Sequence, residues 1–191
     1  NEVRRTAESG HLAPAYKSRL VARGDLETID GNLRTDSPTA DVDAVNLILS
    51  YAASCKTKIR SADISNAYFQ GDPQDRLVLL KPPPGGLPGL DKERTDWAML
   101  AKVPIYGQKD AGRKFWRRLR KVICNAGLKE NHISRAFYHY TVDGDCKVAM
   151  CTHVDDLIWT VKPGFEYIFD NILKEFEVKE VSEGCLLNTS Y

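Results

Sequence analysis

Two adjacent carboxylates, Asp155 and Asp156, interrupt an otherwise apolar stretch that runs from Cys146 to Lys162. The runs on either side, Lys147 to Thr152 and Leu157 to Val161, have the composition of strands, so the pair falls at a tight turn between them. Two carboxylates ~4 Å apart at an effective dielectric near 20 repel by roughly 4 kcal/mol. A divalent cation at the hairpin tip removes that cost, and the pattern therefore points to metal-dependent phosphoryl chemistry.

The rest of the chain offers a sheet and helices to carry such a turn. Asp143-Gly144-Asp145, between Ala136 to Val142 and Lys147 to Thr152, is a hairpin signal. Val42, Val45, Ile48, Leu49 and Ala52 recur at helical spacing behind a cap at Thr39 or Asp41, which predicts a helix ending near Ser54. Phe115, Trp116, Leu119, Val122, Ile123 and Ala126 predict a second helix over 111–126, closed by Gly127. A third is expected from about Phe165 to Phe176. Lys58 to Ile64 reads as a strand, and Ser65 to Gln70 as a brief helix ended by Gly71. Arg76 to Lys81 and Trp97 to Val103 read as further strands around the Pro82 to Gly89 loop. Residues 1–38 read as loops around a short basic hairpin arm at Tyr16 to Arg23.

A hydrophobic content of 42% in 191 residues supports a packed core and excludes a wholly disordered chain. The five cysteines contain no Cys-x-x-Cys pair, which argues against a disulfide framework and for a reducing compartment. Cys146, Cys151 and His153 match no zinc-finger spacing and read as core thiols beside a lone histidine. No apolar run approaches the ~20 residues of a membrane helix, and the N-terminus has no apolar signal core. An intracellular location without a membrane partner is expected. The net charge of +1 conceals a cluster of six cations, Arg113, Lys114, Arg117, Arg118, Arg120 and Lys121, with no acid among them. Such a cluster is either a nucleic-acid face or a solvated helix surface.

Asp63 closes the predicted strand Lys58 to Ile64. If that strand neighbours the Asp155-Asp156 turn, three carboxylates meet, a set suited to two magnesium ions ~3.5–4 Å apart. Four blocks then carry a family resemblance: Tyr16 to Gly24 (YKSRLVARG), Ser61 to Gly71 (SADISNAYFQG), Ile105 to Trp116 (IYGQKDAGRKFW) and His153 to Asp156 (HVDD). In order and spacing, over roughly residues 10–180, they resemble the reverse transcriptase domain of copia-type retrotransposon polyproteins.

The resemblance implies an α/β (α+β) right-hand polymerase fragment. Its palm of antiparallel strands backed by helices would comprise 39–71 and 105–184. A partial fingers element would come from the arm at 1–38 and a connector at 72–104, followed by a divergent tail at 185–191. The thumb is expected to be absent, with thumb and RNase H supplied by the remainder of a polyprotein. The implied reaction is RNA-directed DNA synthesis from deoxynucleoside triphosphates on an RNA or DNA template with a DNA primer. Two Mg2+ ions would serve it, with Mn2+ as a substitute, in a cytoplasmic particle or the nucleus. Asp63, Asp155 and Asp156 match the catalytic metal ligands. The backbone carbonyl of Ile64 is expected beside the nucleotide-side ion, and Tyr68 matches the gate that excludes a ribose 2′-hydroxyl. Lys17, Arg19 and Arg23 match the fingers cations that meet the triphosphate. Arg113, Lys114, Arg117, Arg118 and Lys121 are expected along the nucleic-acid backbone.

Three positions depart from the family pattern. Asp110 occupies the place of a nucleotide-contacting glutamine, where an anion repels a triphosphate unless its side chain turns away. His153 replaces a tyrosine near the primer end, and Gly112 replaces a proline. Two other readings stay open: a catalytically inactive remnant that at most binds nucleic acid, and a generic magnesium phosphotransferase or nuclease.

Overall fold

The computed structural model describes residues 19–28, 31–83 and 97–184. In chain order these form α1 (Val42–Cys55), β1 (Ile59–Ile64), β2 (Leu79–Leu80), β3 (Met99–Leu100), α2 (Ala111–Asn125), β4 (Lys129–Glu130), β5 (Phe137–Val142), β6 (Asp145–His153), β7 (Asp156–Val161), α3 (Tyr167–Leu173) and β8 (Val178–Glu183). Single 3-10 turns occupy Gly24–Leu26 and Ala67–Gln70. Six strands make one antiparallel sheet in the order β4-β5-β6-β7-β1-β8, while β2 and β3 pair separately.

Period-two alternation sends successive side chains of each strand to opposite faces of this sheet. Val148 and Met150 of β6, Leu157 and Trp159 of β7, and Ala62 and Ile64 of β1 pack against Phe115, Leu119 and Ile123 of α2 and Ile168, Phe169 and Ile172 of α3. Trp159 stacks on Phe169 with ring centroids 4.6 Å apart. The opposite face takes Ala44 and Ile48 of α1 against Phe137, Ala149, Cys151, Ile59 and Ile158. The result is one helix on one face and two on the other.

Local chemistry accounts for the element ends. Asp41 caps α1 by accepting the Ala44 amide at 2.7 Å, and Lys56 in the left-handed region closes it. The β5–β6 turn has both Asp143 and Gly144 at positive φ, the geometry that matches strand twist. Gly127, with φ +98, ends α2 where its sequence pattern expects.

Several expectations shift. The turn before β7 is Val154-Asp155, one residue earlier than expected, because His153 pairs with Asp156 and Asp156 already belongs to β7. The expected strands Arg76 to Lys81 and Trp97 to Val103 shorten to the two-residue pair β2 and β3. The third helix is limited to Tyr167–Leu173. Val42, counted on the buried face of α1, is 73% exposed, since that face follows Ala44, Ile48 and Ala52. Residues 19–23 of the basic arm form no strand, whereas 1–18, most of the Pro82 to Gly89 loop and the tail lie outside the described residues. The strands β4 and β8 carry no strong strand signal and emerge only from pairing. Cys55, Cys124, Cys146 and Cys151 are free thiols. Among the described residues no helix is long and apolar enough to cross a membrane.

The attachment of α1 rests on Ile48, which is fully buried. Ile48→Ala is expected to lower unfolding free energy by about 2–5 kcal/mol, the cost of a large-to-small change in a packed core. Val42→Ala, on the exposed side, is expected to change it by less than about 0.5 kcal/mol. Urea denaturation of the two variants checks the assignment of faces.

Candidate active site

The antiparallel register of β1 against β7 pairs Asp63 directly with Asp156. The Ile64 amide donates to the Asp155 carbonyl at 3.0 Å. That bond makes Asp63 and Asp156 a non-hydrogen-bonded pair, the kind in which opposing side chains come closest. The same row continues across four strands: His153 of β6 faces Asp156, and Glu180 of β8 faces Asp63. Alternation from Ile59, Ile158 and Cys151 places the whole row on the α1 face. The chain entering α1 crosses the sheet one row inward, where the Ala40 amide bonds the Thr152 carbonyl at 2.9 Å. One row further out, His153 and Asp156 stand exposed to solvent.

Asp155 lies in the turn above this row. Val154 beside it takes φ +57, a left-handed conformation that is unusual for a β-branched residue and typical of strain held at a functional turn. The carboxyl of Asp156, although at an exposed strand end, is raised above its ordinary value. Partial loss of its water shell is the first cause and the charges of Asp155 and Asp63 follow, while His153 and Lys179 oppose the shift. The charges of Asp155 and Asp63 thus both reach the Asp156 carboxyl. Lys179 donates to Asp63 Oδ2 at 2.6 Å.

Among the described residues, no three His, Cys, Asp or Glu side chains are gathered tightly enough to enclose a metal ion by themselves. Magnesium does not need such a cage: it binds through one or two carboxylates, keeps several waters and takes the rest of its ligands from substrate phosphates. The hard oxygen donors of Asp63, Asp155 and Asp156 fit that requirement, and an ammonium already lies against Asp63.

Aromatic residues flank the acids. Tyr68 packs on Tyr106 with centroids 4.7 Å apart, Phe69 meets Tyr106 edge-on at 5.5 Å, and the Arg19 guanidinium lies 4.2 Å from the Tyr106 ring centroid. Burial pushes both phenols up; the Asp155 charge adds to this at both, and Arg19 opposes it. Tyr68, Tyr106 and Arg19 thus form one cluster that feels the Asp155 charge. Arg23 points elsewhere, into an exposed ion pair with Asp25 at 2.6 Å. Lys17 lies outside the described residues. The Ile64 side chain is fully buried. In the sequence, Tyr106 carries no signal of this role beyond its place one residue before Gly107 in the third block.

That glycine fixes the segment carrying Arg19. The Ala22 amide bonds the Tyr106 carbonyl at 2.7 Å. A Cβ on Gly107, whose φ is +83, would lie 2.2 Å from the Ala22 carbonyl oxygen, and one on Gly24 would lie 2.0 Å from that of Gly107. Only two facing glycines allow this approach.

Asp110 corrects the sequence reading. Its side chain is 3% exposed and turned inward, accepting from Gln108 Nε2 at 2.6 Å and Arg76 Nη2 at 3.0 Å, so it is not presented to a nucleotide. Arg76 also pairs with Glu27, whose carboxylate takes the Lys109 amide. The basic helix is corrected likewise. Lys114 is buried against Asp75 at 2.5 Å, Arg113 pairs with Asp36 at 2.7 Å, and Arg118 donates to the carbonyls of Gln70 and Glu175. These three cations clasp loops to α2 instead of forming an open face. Arg117, 3.7 Å from Asp72, and Lys121 remain exposed. A groove of about 870 Å3 between residues 20–28 and 76–83 includes none of the three carboxylates.

A family model of reverse transcriptase (RNA-dependent DNA polymerase) matches residues 4–184, and the chain belongs to that family. It is 30% identical over 168 residues to the retrovirus-related Pol polyprotein from transposon RE2 of Arabidopsis thaliana. It is 29% identical over 171 residues to the corresponding polyprotein from transposon RE1 of the same organism. The resemblance carried by the four blocks is thereby borne out. These matches cover 86% and 88% of this chain and 11% of each polyprotein, so the chain spans about a tenth of the curated relatives' length. No solved structure matches it with significance.

Removing Asp110 strips Arg76 of one of its two carboxylates inside a largely buried network. Asp110→Ala is expected to cost about 3 kcal/mol, the lower end for breaking a buried pair. Asp25→Ala, which breaks an exposed pair, is expected to leave the urea midpoint unchanged.

Proposed function

We propose that this chain is the palm and part of the fingers of a copia-type RNA-directed DNA polymerase, acting by two-metal nucleotidyl transfer within a longer polyprotein. The observation that carries the reading is the direct cross-strand pairing of Asp63 with Asp156 below Asp155. Family membership supplies the reaction class. Asp63 and Asp155 would hold the two ions and Asp156 would support the primer-side one, with the Ile64 carbonyl at the nucleotide side. Magnesium held there would supply a lowered pKa at the attacking primer 3′-hydroxyl and charge neutralisation at the leaving pyrophosphate.

The protein's own groups position the reactants. Tyr68, held from behind by Tyr106, bars a ribose 2′-hydroxyl by contact with the incoming sugar. Arg19, placed on Tyr106 by the paired glycines, is the cation that meets the triphosphate. His153, opposite Asp156 on the open edge of the row, lies at the primer end. Arg117 and Lys121 contact the nucleic-acid backbone from the exposed side of α2. Thumb and RNase H functions come from other parts of the polyprotein.

Primer extension tests the reading. Magnesium-dependent addition of deoxynucleotides to a DNA primer on an RNA template is expected, and Asp155→Asn is expected to reduce it by about a thousandfold or more, as loss of several kcal/mol of charge stabilisation requires. Salt-sensitive nucleic-acid binding without extension would instead assign the chain as an inactive remnant. Hydrolysis without a primer would assign it as a nuclease.

A further inference from the structure

The strand β8 breaks register beside the acidic row. Its pairing with β1 runs Arg60 with Glu183, Ser61 with Ser182, Ala62 with Val181 and Asp63 with Glu180, and then jumps to Ile64 with Val178. Lys179 is therefore an extra residue opposite the step from Asp63 to Ile64. A bulge of this kind re-aims the side chain it frees from the ladder. Here the ammonium reaches Asp63 Oδ2 at 2.6 Å, with the lysine side chain 46% and the aspartate side chain 34% exposed. A regular strand would have set only Glu180 against Asp63, a like charge directly opposite another, which destabilises a pair. The bulge supplies a counter-charge at that point.

We propose that Lys179 is an internal counter-ion for Asp63 that competes with divalent metal and so sets the metal affinity of the site. The inference rests on the metal-site reading given above. Without metal, the ammonium neutralises Asp63 and keeps its carboxylate in the row with Asp156. On metal binding the same carboxylate is claimed by a dication, whose charge repels an ammonium held against that carboxylate. The lysine therefore gives up Asp63 Oδ2, and its flexible, half-exposed stem lets it swing away without unfolding β8. Lys179 is a positioning residue here, acting through Asp63 and not on a substrate.

The test is direct titration of the full chain with Mn2+, counting free ion by electron paramagnetic resonance in the absence of nucleotide and nucleic acid. Lys179→Met removes the charge and keeps most of the stem; Lys179→Arg keeps the charge. Lys179→Met is expected to bind Mn2+ about threefold to fivefold more tightly than the unaltered chain, the range that the weak energy of a half-exposed ion pair allows. Lys179→Arg is expected to stay within twofold of the unaltered chain, roughly the margin that separates a kept charge from a lost one. Lys179→Gln, a second neutral variant, is expected to repeat the Met result and guards against a local packing effect. Unchanged or weaker binding in both neutral variants, with binding by the unaltered chain still abolished in Asp155→Asn, overturns the counter-ion role alone. Absence of Mn2+ binding in every variant overturns both this role and the metal site beneath it.

Discussion

The register between β1 and β7 is the constraint on which the rest of the arrangement depends. Side chains alternate with a period of two, so a slip of one residue would send Asp63 into the α2 and α3 core and bring Ala62 or Ile64 out to the acidic row. Such a slip is blocked by the fully buried Ile64, Leu157 and Trp159 on one face. On the other face, the Thr57 and Thr160 hydroxyls meet at 2.7 Å. Apolar burial thus enforces an unfavourable meeting of like charges. The sheet tolerates it because the row lies one step beyond the chain entering α1, where water reaches it, and because Lys179 contributes a cation.

A second constraint holds the 19–28 segment. Ordinary side chains cannot bring its backbone against Tyr106 to Lys109; Gly24 and Gly107 do so by lacking Cβ atoms. Arg76 then joins Glu27 of that segment to Asp110 at the start of α2. Asp110, where the resemblance leads one to expect a glutamine, is consistent with a stable fold because the carboxylate faces Arg76 and Gln108 instead of the open row. This redirects the meaning of the substitution from substrate contact to the attachment of one segment to another.

What could be read from the sequence follows from how local each signal is. Helices α1 and α2, the β5–β6 hairpin and the brief turn before Gly71 are written in spacing, caps and glycine positions, and the structure places them within a residue or two. Strand ends offer the meeting of Asp63 with Asp155 and Asp156 only as a condition, and the four-block resemblance supplies the rest, because the meeting depends on a pairing that sequence does not encode locally. Lys179 is not legible in the sequence because a bulge has no compositional signature, and Glu180 because β8 is polar and exposed along most of its length. The cations of α2 misled for the opposite reason. Their partners Asp36, Asp72 and Asp75 are remote in sequence, so the cluster read as an open basic face when much of it is spent on loops.

The most direct measurement of the central claim is a crystal structure of the chain grown with Mn2+, with the ion located by anomalous scattering. An anomalous peak bound to a carboxylate oxygen of Asp63 and to one of Asp155 or Asp156 is the result expected. Well-ordered density that separates Asp63 from Asp156 by a shifted strand register, or that places the ion elsewhere on the protein, would contradict the account.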